Sequence, residues 1–277
     1  MMRNKYKSIL VKAVMILLGI GFLFPLYWMI MMSFKEHLEI TVNPFGLPKE
    51  WIFTNYAAAL DKMHFLSALK NSLIYTTGTC ILTLILGSMA AYAISRMGWK
   101  YENQMRTVFM MGLVIPMQLV MIPLYTIVYN LGLKDSSFGV ILPYTAFQLP
   151  STILMFYAFL RGIPRELEEA ARIDGCNVYQ SFTRIIIPVL KPALSTRFVL
   201  ILMNIWNEYN LALILANTAA KAPLTIELNK FFVTLVGSPN WGYIGAAMIL
   251  ASLPAILVYT IGNRQIENAL TVGAILK

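Results

Sequence analysis

Long uncharged apolar stretches alternate with short polar ones along this chain, and their lengths decide what they can be. A hydrocarbon core about 30 Å thick is crossed by roughly 20 helical residues. Residues 13–34, 71–95, 107–133, 136–160 and 231–263 each reach that length without a charged side chain. A further stretch, 198–220, is interrupted by one charge, Glu208. Membrane barrels are built from short segments of alternating polarity, which this chain does not display. The pattern therefore predicts an all-α integral membrane protein of six transmembrane helices. An even number of crossings brings both termini to the same side.

Composition agrees, with 58% hydrophobic and 13% charged residues. Lys and Arg near the ends of spans are retained in the cytoplasm, so their distribution gives the orientation. With the N-terminus inside, the cytoplasmic segments carry Arg3, Lys5, Lys7 and Lys12, then Arg96, Lys100 and Arg106. They also carry Arg161, Arg165, Arg172, Arg184, Lys191 and Arg197, and finally Arg264 and Lys277, which makes fifteen of the 22 basic residues. Lys35, Lys49, Lys62, Lys70, Lys134, Lys221 and Lys230 are left outside. Both termini are predicted cytoplasmic, with an external loop at 35–70 and a cytoplasmic loop at 161–193. The net charge of +9 follows from this topology and from anionic membrane lipid, without nucleic acid. The basic start of the first stretch resembles a signal peptide, but its apolar run exceeds the usual core of about 7 to 15 residues, so it is expected to stay uncleaved.

Cys80 falls inside the second predicted span and Cys176 in a cytoplasmic loop, which predicts two free thiols. His37 and His64 share the external loop without another Cys or His at ligand spacing, so no metal site is expected. No phosphate-binding loop of the Gly-x-x-x-x-Gly-Lys-Ser/Thr type occurs, nor a metalloprotease or serine-hydrolase signature. The chain carries no means of its own to hydrolyse ATP or a peptide, and no catalytic residue is assigned.

The cytoplasmic loop holds signals for two short helices. Pro164 suits a first turn, and Glu166, Glu168 and Glu169 favour the positive end of a helix dipole. Leu167, Ala170, Ala171 and Ile173 supply a small apolar surface, and Gly175 is the residue expected where a helix ends in a left-handed turn. Asn177 can cap a second helix running toward Ile187, with Pro188 marking its end or a kink. The product is a compact knob on the membrane surface.

Glu169-Ala170-Ala171, three residues, Gly175, nine residues, then Ile185, Ile187 and Pro188 resembles the cytoplasmic coupling motif of ABC importer permeases, in which Leu more often stands where this chain has Ile187. Phe24-Pro25-Leu26-Tyr27-Trp28, Asn71-Ser72-Leu73, Ala90-Ala91-Tyr92-Ala93 and Trp206-Asn207-Glu208-Tyr209 look like the carbohydrate-uptake branch of that family, and its smaller permease. The resemblance implies that residues 1–277 form one transmembrane permease domain in the cytoplasmic membrane of a prokaryote. It also implies a second permease subunit, two ATP-binding subunits that hold ATP and Mg, an extracytoplasmic solute-binding protein and a sugar substrate. On the family pattern Glu169, Ala170, Ala171, Asp174 and Gly175 are the ATPase-coupling residues.

A charge within the bilayer is costly and usually faces protein or water, which singles out Glu208. If the fifth helix enters near Arg197, eleven steps of about 1.5 Å place Glu208 roughly 16 Å deep, on one stripe with Arg197 and Asn204. Gln118, Tyr144, Gln148, Asn204 and Trp206 join Glu208 as candidates for the translocation pathway; interhelical hydrogen bonding and anchoring at the bilayer interface are their plainer roles. Pro116, Pro123, Pro143 and Pro150 permit kinks there. Gly87, Gly112 and Gly139 suit close helix packing. From the residues alone, an ion-gradient-driven secondary transporter and a structural membrane subunit stay open beside the importer permease.

Overall fold

A computed structural model describes the backbone of residues 2–234 and 240–275, and all side chains of these except 2–9, 234 and 261–275. Every regular element among the described residues is helical. In chain order they are α1 (Met2–Ser33), α2 (His37–Val42), α3 (Thr54–Lys62), α4 (Phe65–Arg96), α5 (Glu102–Val114), α6 (Met117–Asn130) and α7 (Ser137–Arg161). Then come α8 (Glu166–Ile173), α9 (Val178–Ser181), a π-helical turn (Phe182–Ile186), α10 (Ile187–Trp206), α11 (Asn210–Leu215), α12 (Leu224–Thr234) and α13 (Trp241–Ile275).

Among the described residues five helices are long and apolar enough to cross a membrane: Leu10–Ser33, Phe65–Arg96, Ser137–Arg161, Val178–Trp206 and Trp241–Thr260. A sixth crossing exists only if α5 and α6 are counted as one span, and they are bent by 100°. The single span expected over 107–133, with a kink permitted at Pro116, is thus two helices sharply bent. Ile115 precedes Pro116, and the proline ring drives the preceding residue out of the α region, so both adopt extended backbone, with ψ of 113° and 128°. Pro143 and Pro150, by contrast, sit inside an unbroken α7.

The fifth span is corrected more deeply. Instead of 198–220, a continuous helical rod runs from Val178 to Trp206 and takes in the second helix of the predicted knob. Pro188 does not end it. The preceding π turn, in which the Ile187 amide donates to the Phe182 carbonyl, widens the backbone where the proline ring would otherwise meet a carbonyl. The last predicted span, 231–263, is represented by the end of α12 and by α13, with 235–239 outside the described residues. For the tail at 270–277, the last two residues and all side chains also lie outside them.

The chain forms two compact units. The first comprises Met1–Leu66 and Glu227–Pro254. Most side chains of α1 beyond Leu10 are exposed, as suits a helix that meets lipid or another protein. Its far end is fixed by polar contacts: Asn55 Nδ2 donates to the carbonyls of Ser33 (2.9 Å) and Lys35 (3.0 Å), while the buried Lys35 Nζ donates to Asn43 O at 2.6 Å. Gly242 leaves room there, since a Cβ would collide with Lys35 O and Asn55.

The second unit comprises Ser67–Ile226 and Ala255–Lys277 and holds the residues considered below. Two clusters of its core bear on the site. Tyr75, Cys80, Val140, Ile141, Tyr144, Ile201 and Leu211 make one, and Tyr92, Phe156, Leu160, Ile186 and Leu190 the other. Helices α4 and α7 approach closely because Gly87 has no side chain; a Cβ there would lie 2.6 Å from Thr152 Cγ2.

Candidate functional site

The first group of interest is the α8–α9 hairpin. Its local signals act as the sequence suggests. Gly175 has φ +83°, and the Cys176 and Gly175 amides donate back to Ala171 O (2.9 Å) and Arg172 O (3.0 Å), closing α8. The Asn177 side chain accepts from the Gln180 amide at 2.9 Å while Gln180 Oε1 accepts from the Asn177 amide at 2.8 Å, a reciprocal cap that starts the rod.

What holds the hairpin in place is Glu168, which turns inward. Its carboxylate pairs with Arg96 Nε at 3.2 Å and accepts from the Tyr92 hydroxyl at 3.1 Å. Arg96 Nη2 also donates to Leu160 O and Ile163 O, at 2.5 and 2.7 Å, so one guanidinium ties the end of α4 to the end of α7 and to α8. Arg165 adds a longer bond to Ser95 O. Sequence reading counted Arg96 as a topology signal only. The available clue was spacing, since Tyr92 and Arg96 stand four residues apart on one helical face.

With Glu168 and Ala171 buried, the opposite face of α8 is presented outward. Glu169, Ala170, Asp174 and Gly175 are exposed, flanked by the exposed apolar side chains of Leu167, Ile173 and Tyr179. Of the five predicted coupling residues, Ala171 alone faces the protein, where its small side chain lets α8 seat closely.

The second group lies between α7, α10 and α11. Glu208 is not on a helix stripe with Arg197 and Asn204, because α10 stops at Trp206. The Glu208 carboxylate instead caps α11, with Oε1 accepting from the Leu211 amide (2.9 Å) and Oε2 from the Ala212 amide (3.1 Å) and the Tyr144 hydroxyl (2.6 Å). Arg197 is likewise not at a helix entrance. It sits nineteen residues beyond Val178, about 28 Å along the rod, and is 6% exposed. Its Nε donates to Thr152 Oγ1 at 2.7 Å, and its Nη2 to Gln148 Oε1 (2.8 Å), Gln148 O (3.2 Å) and Ser151 Oγ (2.5 Å).

Of the predicted pathway residues, the structure therefore joins Tyr144 to Glu208, and Gln148 to Arg197. Trp206 is buried at the end of α10, whereas Gln118 and Asn204 are exposed without a hydrogen bond among the described residues. Among those residues no cluster of His, Cys, Asp or Glu is placed to hold a metal ion. The arrangement is one of fixed donors and acceptors held between helices long and apolar enough to cross a membrane.

Residues 83–272 match the family described as binding-protein-dependent transport system inner membrane component. The chain is 31% identical to a diacetylchitobiose uptake system permease protein of Streptomyces coelicolor, over 94% of this chain and 86% of that protein. A second diacetylchitobiose permease of the same organism is 31% identical over 99% of each. Among solved structures, a bacterial ABC transporter involved in the import of the acidic polysaccharide alginate superposes with TM-score 0.81 at 26% identity, covering 94% of this chain and 96% of that one. The chain therefore belongs to the inner membrane permeases of binding-protein-dependent transport systems.

Proposed function

We propose that this chain forms half of the translocation pathway of an ATP-driven sugar importer. It pairs with a second permease, receives solute from an extracytoplasmic binding protein and is driven by two ATPase subunits that hold ATP and Mg. Its termini and the α8–α9 hairpin lie on the cytoplasmic side. One observation carries the coupling role: the buried Arg96–Glu168 pair fixes the hairpin from behind while Glu169, Ala170, Asp174 and Gly175 remain exposed in front. A groove on an ATPase subunit would receive that face, with Glu169 supplying a charged contact and Ala170 close approach. Because α9 continues without a break into α10, motion of the hairpin is delivered along the rod to Arg197 and the neighbourhood of Glu208.

The sugar class is supported by the relatives named above, and the Glu208 carboxylate held by Tyr144 supports a polar lining for the pathway. The test is Glu169→Lys in the purified importer complex. Basal ATP hydrolysis and the unfolding midpoint should stay close to those of the parent, while ATP-dependent uptake is lost. Coupled uptake at the parental rate would refute the docking role.

A further inference from the structure

Taking the importer role proposed above as given, we infer that Arg197 recognises a carboxylate carried by the sugar as it passes along the face where α7 and α10 meet.

A buried charge is tolerated when it is paired and hydrogen-bonded. This chain offers its own comparison. Arg96, with its side chain 4% exposed, is balanced by the carboxylate of Glu168. Arg197 is equally enclosed, yet every partner it has is neutral: one hydroxyl of Thr152, one of Ser151, and the side-chain and backbone oxygens of Gln148. Among the described residues no carboxylate pairs with it. Glu208 makes no ion pair with it among the described residues; its carboxylate is held by Tyr144 and the first turn of α11. The bilayer interior thus holds an uncompensated positive charge, which is rare and points to a pathway.

Orientation narrows the ligand. Nε and Nη2 are taken up by α7, which fixes the plane of the guanidinium, while Nη1 has no partner among the described residues and is not an enclosed atom. The Gln148 amide nitrogen, beside the oxygen that Arg197 grips, is also without a partner among them. Leu200 and Asn204 follow Arg197 at spacings of three and seven on one helical face, and both are exposed, so that face carries a polar side chain beyond Arg197. The nitrogen left over, Nη1, shares the guanidinium charge and keeps its N–H donors, and a carboxylate oxygen is the acceptor that a charged donor binds best.

The experiment uses the importer complex purified with its partners and reconstituted in liposomes. ATP-dependent uptake is measured for a panel of uronate-containing disaccharides and their neutral counterparts, with direct binding of each to the complex in the absence of the binding protein. The parent should prefer the uronates by about tenfold or more, as charge-assisted hydrogen bonds allow. Arg197→Gln should lower uronate uptake about tenfold further than it lowers neutral-sugar uptake, and Arg197→Lys should keep part of the preference. Indifference of the parent to the carboxylate, or an equal fall for both sugar classes in Arg197→Gln, would overturn the inference and leave Arg197 as a pin between helices. If Arg197→Gln does not assemble, Arg197→Lys decides: an unchanged ratio of uronate to neutral uptake overturns it, and a reduced ratio supports it. A parent complex that takes up no sugar at all would strike down the importer role, and the inference with it.

Discussion

Replacing Arg96 by Ala gives the sharpest test of how the hairpin is held. The side chains of Arg96 and Glu168 are 4% and 8% exposed, so water does not replace the lost partner. Breaking a buried ion pair from one side costs about 3–5 kcal/mol, because the other charge is stranded. The same change takes a donor from two carbonyls: Leu160 O keeps the Ile163 amide, while Ile163 O costs about 1 kcal/mol or more if left without a donor. The total approaches the whole stability of an ordinary domain. Glu168→Gln should cost less, since the amide oxygen can still accept from Tyr92 and Arg96 loses no carbonyl partner. The double variant removes both charges at once. It should be more stable than the sum of the single changes predicts, by about 2–3 kcal/mol. Reversible unfolding in mixed micelles measures all three, and uptake per ATP hydrolysed reports whether the hairpin stays seated. A loss below about 1 kcal/mol for Arg96→Ala, or strict additivity in the double variant, would refute this account of the anchor.

Two further expectations concern the second unit. Glu208→Ala removes the cap of α11 and the acceptor of Tyr144, so it should lower the unfolding free energy by about 1–2 kcal/mol through the cap alone, and uptake should fall. Tyr144→Phe should cost about 1–3 kcal/mol while leaving the cap intact, and parental uptake by Glu208→Ala would remove this pair from the pathway. Gly87→Ala should destabilise by about 1–3 kcal/mol, because its Cβ would press on Thr152 Cγ2 at 2.6 Å. Adding Thr152→Ser, which deletes that methyl and keeps the hydroxyl for Arg197, should recover most of the loss in the same unfolding measurement.

What could be read from the sequence was local or periodic. Gly175 and Asn177 announce a helix stop and a helix start by chemistry that acts within a few residues, and the structure places both accordingly. The length of the uncharged runs located the first, second and fourth spans for the same reason. Failure came where charge was taken as a sign of loop. Arg184, Lys191 and Arg197 made the start of the fifth span look cytoplasmic, although a helix can carry cations if it has partners at depth, as Arg197 has. A proline was visible at 116, but a turn of 100° depends on what packs around it. The Arg96–Glu168 pair joins residues 72 apart in the chain, and no period relates them.

The π turn at Phe182–Ile186 has one more consequence. A wide turn is a helix holding one residue too many, and each residue in a helix accounts for about 100° of rotation and 1.5 Å of advance. The hairpin and the Arg197 end of the rod are therefore out of phase, like two gears set one tooth apart on a common shaft. Ordinary α geometry there would bring the Pro188 ring against a carbonyl, so the offset of roughly a quarter turn is set by the sequence itself. With the Asn177 cap at one end and the grip of Arg197 on α7 at the other, the shaft keeps one timing, and a push on the hairpin arrives as motion of the whole rod.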